Sequence, residues 1–208
     1  MWWRPERFLC KKTFLEQRAA LIRAVRGYFD GLDFCAVETP SLQVAPGMEP
    51  HIHAFRTELL TPDGRGRAVR YLHTSPEFAM KKLLVAGMPR IYQICHVFRN
   101  AEGSRLHSPE FTMIEWYRAV AGYRDIMEDC EGLLRAVARA LGVASFRHAG
   151  QEADPFAAWE RISVCEAFEK YAGFSLEPFL PEGDETRRAL SDKIAALGFH
   201  THPEDRWD

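Results

Sequence analysis

RIYQICHVFRNAEGSRLHSPEFTMIEWYR, residues Arg90 to Arg118, holds β-rich runs on either side of a polar loop, Arg90–Arg99 and Glu110–Ala119. Side chains in a strand alternate between faces. In the second run Phe111, Met113, Glu115 and Tyr117 therefore share one face, and Thr112, Ile114, Trp116 and Arg118 the other. A carboxylate set between aromatics on such a strand is poorly explained as core. Buried without a partner it is costly or takes up a proton, so a cation is implied. Where no protein cation supplies the charge, a ligand ammonium is a natural candidate. The loop carries Arg99, Glu102, Arg105 and His107, with Asn100 and Ser108 as neutral hydrogen-bonders. Arginine held bidentately and histidine as a donor can grip phosphate at a strand end. A charged loop taken alone is more often a solvated hairpin tip. The neighbouring face of Phe111, Glu115 and Tyr117 turns the reading toward a site.

Outward from this hairpin the chain reads as α+β. Thr13 and Glu16 fit a capping box, and Phe14, Arg18, Leu21, Ile22, Val25 and Phe29 follow at helical spacing up to Gly31. Phe34–Thr39 reads as a strand ended by Pro40, which has no N–H for a ladder. His53–Leu60 and Arg67–His73 flank the turn sequence Thr61-Pro62-Asp63-Gly64-Arg65-Gly66. Ser75 can cap a helix from Pro76 to Gly87, and Arg124–Leu141 carries an apolar stripe closed by Gly142. Ala149–Ala158 is weakly patterned and reads as a linker. Ser163 and Glu166 form a second capping box, for a short helix to Tyr171, and Asp184–Leu197 predicts a last helix. Regular βαβ alternation, G-x-G-x-x-G and G-x-x-x-x-G-K-[ST] are all missing, which disfavours Rossmann and P-loop nucleotide folds. An antiparallel sheet flanked by helices is the better expectation.

The bulk properties exclude several classes. The sequence is 208 residues long, 47% hydrophobic and 27% charged, with a formal charge of −2. A pI near 6.5 gives no support to non-specific binding of a polyanion. Met1–Lys12 has no apolar run that could be a leader, and no stretch approaches a membrane span. The five cysteines, Cys10, Cys35, Cys95, Cys130 and Cys165, include no CxxC and read as reduced, mostly core thiols of a cytoplasmic protein. His51-x-His53 lacks a third ligand at usable spacing, so no metal site is predicted there. Lys81, Lys82, Arg135 and Arg139 read as solvated helix faces. For Trp2-Trp3, packing on the sheet and packing at an interface both fit.

The stretch Phe98-Arg99-Asn100-Ala101-Glu102, then His107, then Pro109-Glu110-Phe111-Thr112-Met113-Ile114-Glu115-Trp116-Tyr117 resembles motif 2 of class II aminoacyl-tRNA synthetases, lysyl subgroup. Two further matches agree. The helix before Val37-Glu38-Thr39-Pro40 is similar to motif 1, placed at about residues 13–40, with motif 2 at about 90–118. Thr74-Ser75-Pro76-Glu77 with Met80-Lys81-Lys82-Leu83-Leu84 resembles the amino-acid-binding loop of lysyl enzymes. The likeness runs from about Lys12 to Gly173 and is weak beyond.

The resemblance implies a class II synthetase-like catalytic domain over residues 1–208 that joins ATP to a lysine-like amino acid with the help of Mg2+. It also implies roles. Arg99 would hold the α-phosphate and stabilise charge during adenylate formation. Phe111 would stack on adenine, with His107 near the distal phosphates, and Asn100, Glu102 and Ser108 complete the ATP-binding set. Ser75, Glu77, Glu115 and Tyr117 would bind the amino acid. The pairing of two copies would run through the motif 1 region. Two departures stand out. The motif 2 glutamate position is Ala101, with Glu102 one residue later, and the glycine-rich motif 3 is not found before Asp208. The chain is therefore expected to be incomplete at its C-terminus and to show little activity alone. No OB-fold is expected ahead of motif 1. A lysyl-like catalytic domain lacking that barrel is similar to the ligases that transfer (R)-β-lysine to a lysine of elongation factor P. A clipped lysyl-tRNA synthetase charging tRNA(Lys) and a non-catalytic dimerising paralog are the alternatives.

Overall fold

The computed structural model describes residues 3–181 and 183–202. Trp2 and Asp208 lie outside them, and Trp3 is largely exposed. The chain divides into two compact units, residues 1–157 and 158–208.

The first unit is built on a helix, α1 (Pro5–Asp30), that starts with proline in its first turn, where the missing N–H costs nothing. The helix thus begins a good two turns before Thr13, which lies inside it rather than at a cap. Only its second half is buried. Phe29 is fully enclosed, stacked on Tyr92 at 5.1 Å and meeting Phe34 and Trp116 at 5.2 and 5.3 Å. A second helix, α3 (Tyr123–Leu141), adds Leu133 and Val137 to this cluster. It ends at Gly142 in the left-handed region, φ 65°, as a terminal glycine should. Gly132 lets the two helices approach, since a Cβ there would collide with the Tyr28 ring.

Both helices cover one face of a three-stranded sheet ordered β1 (Cys35–Ala36), β5 (Arg90–Phe98), β6 (Glu110–Arg118). β5 and β6 pair antiparallel over their full length, with Ile91 opposite Tyr117, Gln93 opposite Glu115 and Val97 opposite Phe111. The predicted strand Phe34–Thr39 shrinks to Cys35–Ala36, and it runs parallel to β5, extended only by a bond from Val37 N–H to the Tyr92 carbonyl at 2.9 Å. Its short length follows from having one partner and a proline close behind.

A second antiparallel sheet has the order β2 (Leu42–Gln43), β4 (Arg67–Leu72), β3 (Arg56–Leu60). Its hairpin turn is stitched by Thr61 and Asp63, with Gly64 at φ 70°. His73, almost fully buried, ties the sheets together. Its N–H bonds Ser41 O at 2.9 Å, its carbonyl accepts from Phe98 N–H at 3.0 Å, and its ring Nε2 pairs with the His96 carbonyl at 2.8 Å. The chain is thereby delivered through Thr74-Ser75-Pro76 into α2 (Glu77–Val85), beside the open face of β6.

Three further expectations are corrected. Ala149–Ala158 is not a plain linker, because β7 (Phe146–His148) and β8 (Gln151–Ala153) form a hairpin. Its turn residues Ala149 and Gly150 both have positive φ, 48° and 79°, a turn that asparagine-glycine signals far more clearly than alanine-glycine. Arg135 and Arg139 are not simply solvated. Arg135 bonds the Pro155 and Ala157 carbonyls at 3.0 Å, and the Arg139 guanidinium lies 5.4 Å from the Phe156 ring. The cysteines are free, but Cys10 and Cys35 are exposed and the other three only half-buried.

The second unit carries α4 (Val164–Ala167), opened by the Ser163–Glu166 capping box, then a π-helical turn and α5 (Asp184–Ala196). Phe168, Phe174 and Phe179 pack edge to face within it. No helix of the described residues is long and apolar enough to cross a membrane.

Candidate active site

The two faces of β6 have separate employments. Thr112, Ile114, Trp116 and Arg118 turn toward the helices. Arg18 donates to Thr112 Oγ1 at 2.7 Å, and Arg118 donates to the buried Asp129 at 3.0 Å. That leaves Phe111, Met113, Glu115 and Tyr117 on the opposite face, each half-buried rather than sealed.

Glu115 is the fixed point of that face. Ser75 donates to its Oε2 at 2.6 Å, and the Tyr117 hydroxyl donates to its Oε1. Ser75 is itself held by the Glu77 N–H, which donates to its Oγ at 3.1 Å at the entry to α2. Both donors to Glu115 are neutral, so they orient the carboxylate without cancelling its charge. Burial, then the Glu115 contact, pushes the Tyr117 phenol well above the usual tyrosine range, and the hydroxyl stays a donor. Among the described residues no ammonium or guanidinium is bonded to Glu115. Gln93, directly opposite on β5 and almost fully buried, accepts from Thr39 Oγ1 at 3.0 Å, while its Nε2 is unpartnered among the described residues.

Arg99 and Phe111 form a second grouping at the loop end of the hairpin. The Arg99 guanidinium lies 5.3 Å from the Phe111 ring centroid, and its Nε points at the Thr74 carbonyl at 3.4 Å. A cation stacked on an aromatic, at the mouth of a hairpin, is an arrangement that can take a planar base on one side and an anion on the other. Asn100 closes the strand end, its N–H bonding the His53 carbonyl at 2.7 Å. Ala101 then takes a left-handed backbone, φ 63°, which swings the half-buried Glu102 into the loop. Ser104 shapes the remainder, accepting from the Leu106 and His107 N–H groups at 3.3 and 3.1 Å. The segment from Gly103 to Pro109 curls round an open concavity of about 540 Å3.

Ser75, Glu77, Glu115 and Tyr117 are thus brought together, and so are Arg99 and Phe111. Glu102, His107 and Ser108 sit in the loop, where among the described residues no bond joins their side chains to Arg99. Two residues with no assigned role lie at the amino-acid side. Lys81, one helical turn after Glu77, pairs with its Oε1. That contact raises the Lys81 pKa, with smaller help from Glu115 and Glu49. Glu49 comes from the loop after β2, and its carboxylate lies beside Gly47. The i, i+4 spacing of Glu77 and Lys81 was a signal available in the sequence. Nothing local pointed to Glu49.

Residues 8–202 match the family model of class II tRNA synthetases (D, K and N), beyond the Gly173 limit of the motif likeness. The chain is 41% identical over 194 residues to the elongation factor P–(R)-β-lysine ligase of Vibrio cholerae, covering 93% of this chain and 53% of that protein. It is 37% identical over 197 residues to the lysine–tRNA ligase of Pelotomaculum thermopropionicum, covering 94% and 37%. The elongation factor P–(R)-β-lysine ligase of Photobacterium profundum is 46% identical over 123 residues, 59% of this chain and 38% of that one. The chain spans about half the length of these relatives or less. With a family model matched over nearly its whole length, the chain belongs to the class II tRNA synthetases (D, K and N).

Proposed function

We propose that the face bearing Glu115 binds lysine or (R)-β-lysine beside ATP, and that the protein activates it as an aminoacyl-adenylate for transfer to a lysine of elongation factor P. The observation that carries this is the carboxylate of Glu115. It is oriented by two neutral hydroxyls, lacks a bonded cation among the described residues, and lies on the same sheet face as the Arg99–Phe111 pair. A carboxylate so prepared is a receptor for an ammonium group. Ser75 and Tyr117 fix its direction. Phe111 offers a stacking surface for adenine. Arg99 would meet the α-phosphate as the amino-acid carboxylate attacks it and pyrophosphate departs, acting by placed charge in the transition state. Mg2+ usually binds through one or two carboxylates and the substrate's own phosphates. Among the described residues no group of three metal-ligating side chains exists, so the cation would be held chiefly by the nucleotide's phosphates.

Elongation factor P is preferred over tRNA as acceptor because identity to the Vibrio cholerae ligase exceeds that to the lysine–tRNA ligase over nearly the same stretch. The same reading implies a cytoplasmic protein that pairs through the motif 1 region. Calorimetry with lysine, (R)-β-lysine and norleucine tests it. Both diamino acids are expected to bind and norleucine, which lacks the second ammonium, to fail; equal binding of norleucine would remove the role of the carboxylates. ATP–pyrophosphate exchange separates activation from binding alone, and preference for α- over β-lysine would favour the tRNA-charging alternative.

A further inference from the structure

We propose that Lys81 is a built-in competitor for the substrate: its ammonium occupies Glu77 in the empty site and gives way when the amino acid's own ammonium arrives. This rests on the reading of Ser75, Glu77, Glu115 and Tyr117 as the amino-acid site. Lys81 leaves α2 one turn after Glu77, so its side chain lies back along the helix and reaches the Glu77 carboxylate. It stands among anions, with Glu115 and Glu49 near enough to add to the pull of Glu77 on its proton. The two carboxylates of the site are therefore not equivalent before substrate binds. Glu115 has both oxygens engaged by hydroxyls that can remain while a cation approaches. Glu77 already has a cation.

The pair is built to open. The Lys81 side chain is 54% exposed and that of Glu77 32%, which puts the contact at the rim. Exposed ion pairs contribute little, and those at i, i+4 on a helix less than most. A substrate ammonium that displaces Lys81 replaces one contact with its chemical equal, and the freed lysine regains water at once. The pairing also spares the empty site from holding Glu49, Glu77 and Glu115 with no cation among them. The consequence is a cost charged to every ligand that uses Glu77, while ligands that use only Glu115 escape it.

Lys81→Met tests the idea, since methionine keeps the stem and the helix preference but loses the charge. By calorimetry the variant is expected to bind lysine about two- to fivefold more tightly than the native protein, the range spanned by an exposed ion pair. Lys81→Arg, which keeps the pairing, is expected to match the native protein. Glu77→Gln weakens lysine binding, and adding Lys81→Met to it is expected to bring no further gain. Unchanged or weaker binding by Lys81→Met overturns the proposal, as does an equal gain in the Glu77→Gln background, which would show action through space on the whole site. If the native protein binds no lysine at all, it is the site assignment that falls.

Discussion

Glu115 stands in a half-enclosed place with a hydroxyl on each of its carboxylate oxygens. Two hydroxyls supply hydrogen bonds and no charge, so the demand for a cation survives into the folded state. Glu115→Gln removes that demand with almost no change in shape. Lysine binding is expected to weaken by about 1.5–3 kcal/mol, roughly 10- to 150-fold, while ATP binding changes little, both read by calorimetry. Equal losses for the two ligands would refute Glu115 as the ammonium partner. The tyrosines make a different prediction. Tyr92, buried and donating to Asp30 at 2.8 Å, has its pKa pushed up to about 12 by burial and that bond, and Tyr28 and Tyr117 are raised as well. A phenol whose folded pKa exceeds the unfolded value adds stability that is full below pH 10 and is lost as pH climbs toward the folded value. Urea midpoints are therefore expected to fall between about pH 10 and 12, with tyrosinate absorbance rising in step, and Tyr92→Phe is expected to blunt the fall. The chemistry at this scale was legible in the sequence where strand alternation fixes it: the face of Phe111, Glu115 and Tyr117 follows from period two alone. Lys81 was legible only in part: its i, i+4 spacing from Glu77 signals an ion pair, but only the fold brings Glu115 and Glu49 near it.

Among the elements, the joint between β6 and α3 is the one on which the site most depends. Arg118 ends the strand that carries Glu115 and Tyr117, and it donates to Asp129, which is almost wholly buried. Its guanidinium also lies 5.8 Å from the Phe34 ring. Removing one member of a buried pair leaves the other charge uncompensated, which costs far more than the pair contributes. Arg118→Met is expected to destabilise the protein by about 3–5 kcal/mol in urea unfolding, and the double variant with Asp129→Leu by clearly less. Additive losses would mean the two side chains act separately. The elements themselves were readable wherever capping and periodicity coincide, as in α3 with its stripe and terminal glycine. They were misread where tertiary contacts decide. The first turns of α1 have no apolar stripe to announce them, and Arg135 and Arg139 look solvated until the chain folds back to put Pro155, Phe156 and Ala157 beside them.

At the scale of the molecule, α1 is longer than the core it serves. Its second half packs on α3 and the sheet, whereas its first half presents Leu9, Phe14 and Leu15 to solvent, 66%, 71% and 51% exposed. At spacings of five and one these three side chains are spread around the helix rather than set along one stripe, and each leaves apolar surface in water. The helix lies where pairing of two copies is proposed, and a twofold contact through its first half would cover some of these side chains. The edge of the sheet supports the same place: β1 has β5 on one side only, and Arg26, Asp30, Val37 and Glu38 line a concavity of about 430 Å3 next to it. Phe14→Glu puts a charge on this exposed half of the helix without touching a buried residue. In sedimentation equilibrium the native chain is expected to weigh as a dimer and Phe14→Glu to shift toward monomer, with unchanged far-UV circular dichroism. Leu60→Glu, an exposed apolar position on β3 far along the chain from α1, is the control and is expected to leave the mass alone. A native monomer would end the proposal. So would a dimer indifferent to Phe14→Glu, because the contact would then have to lie elsewhere.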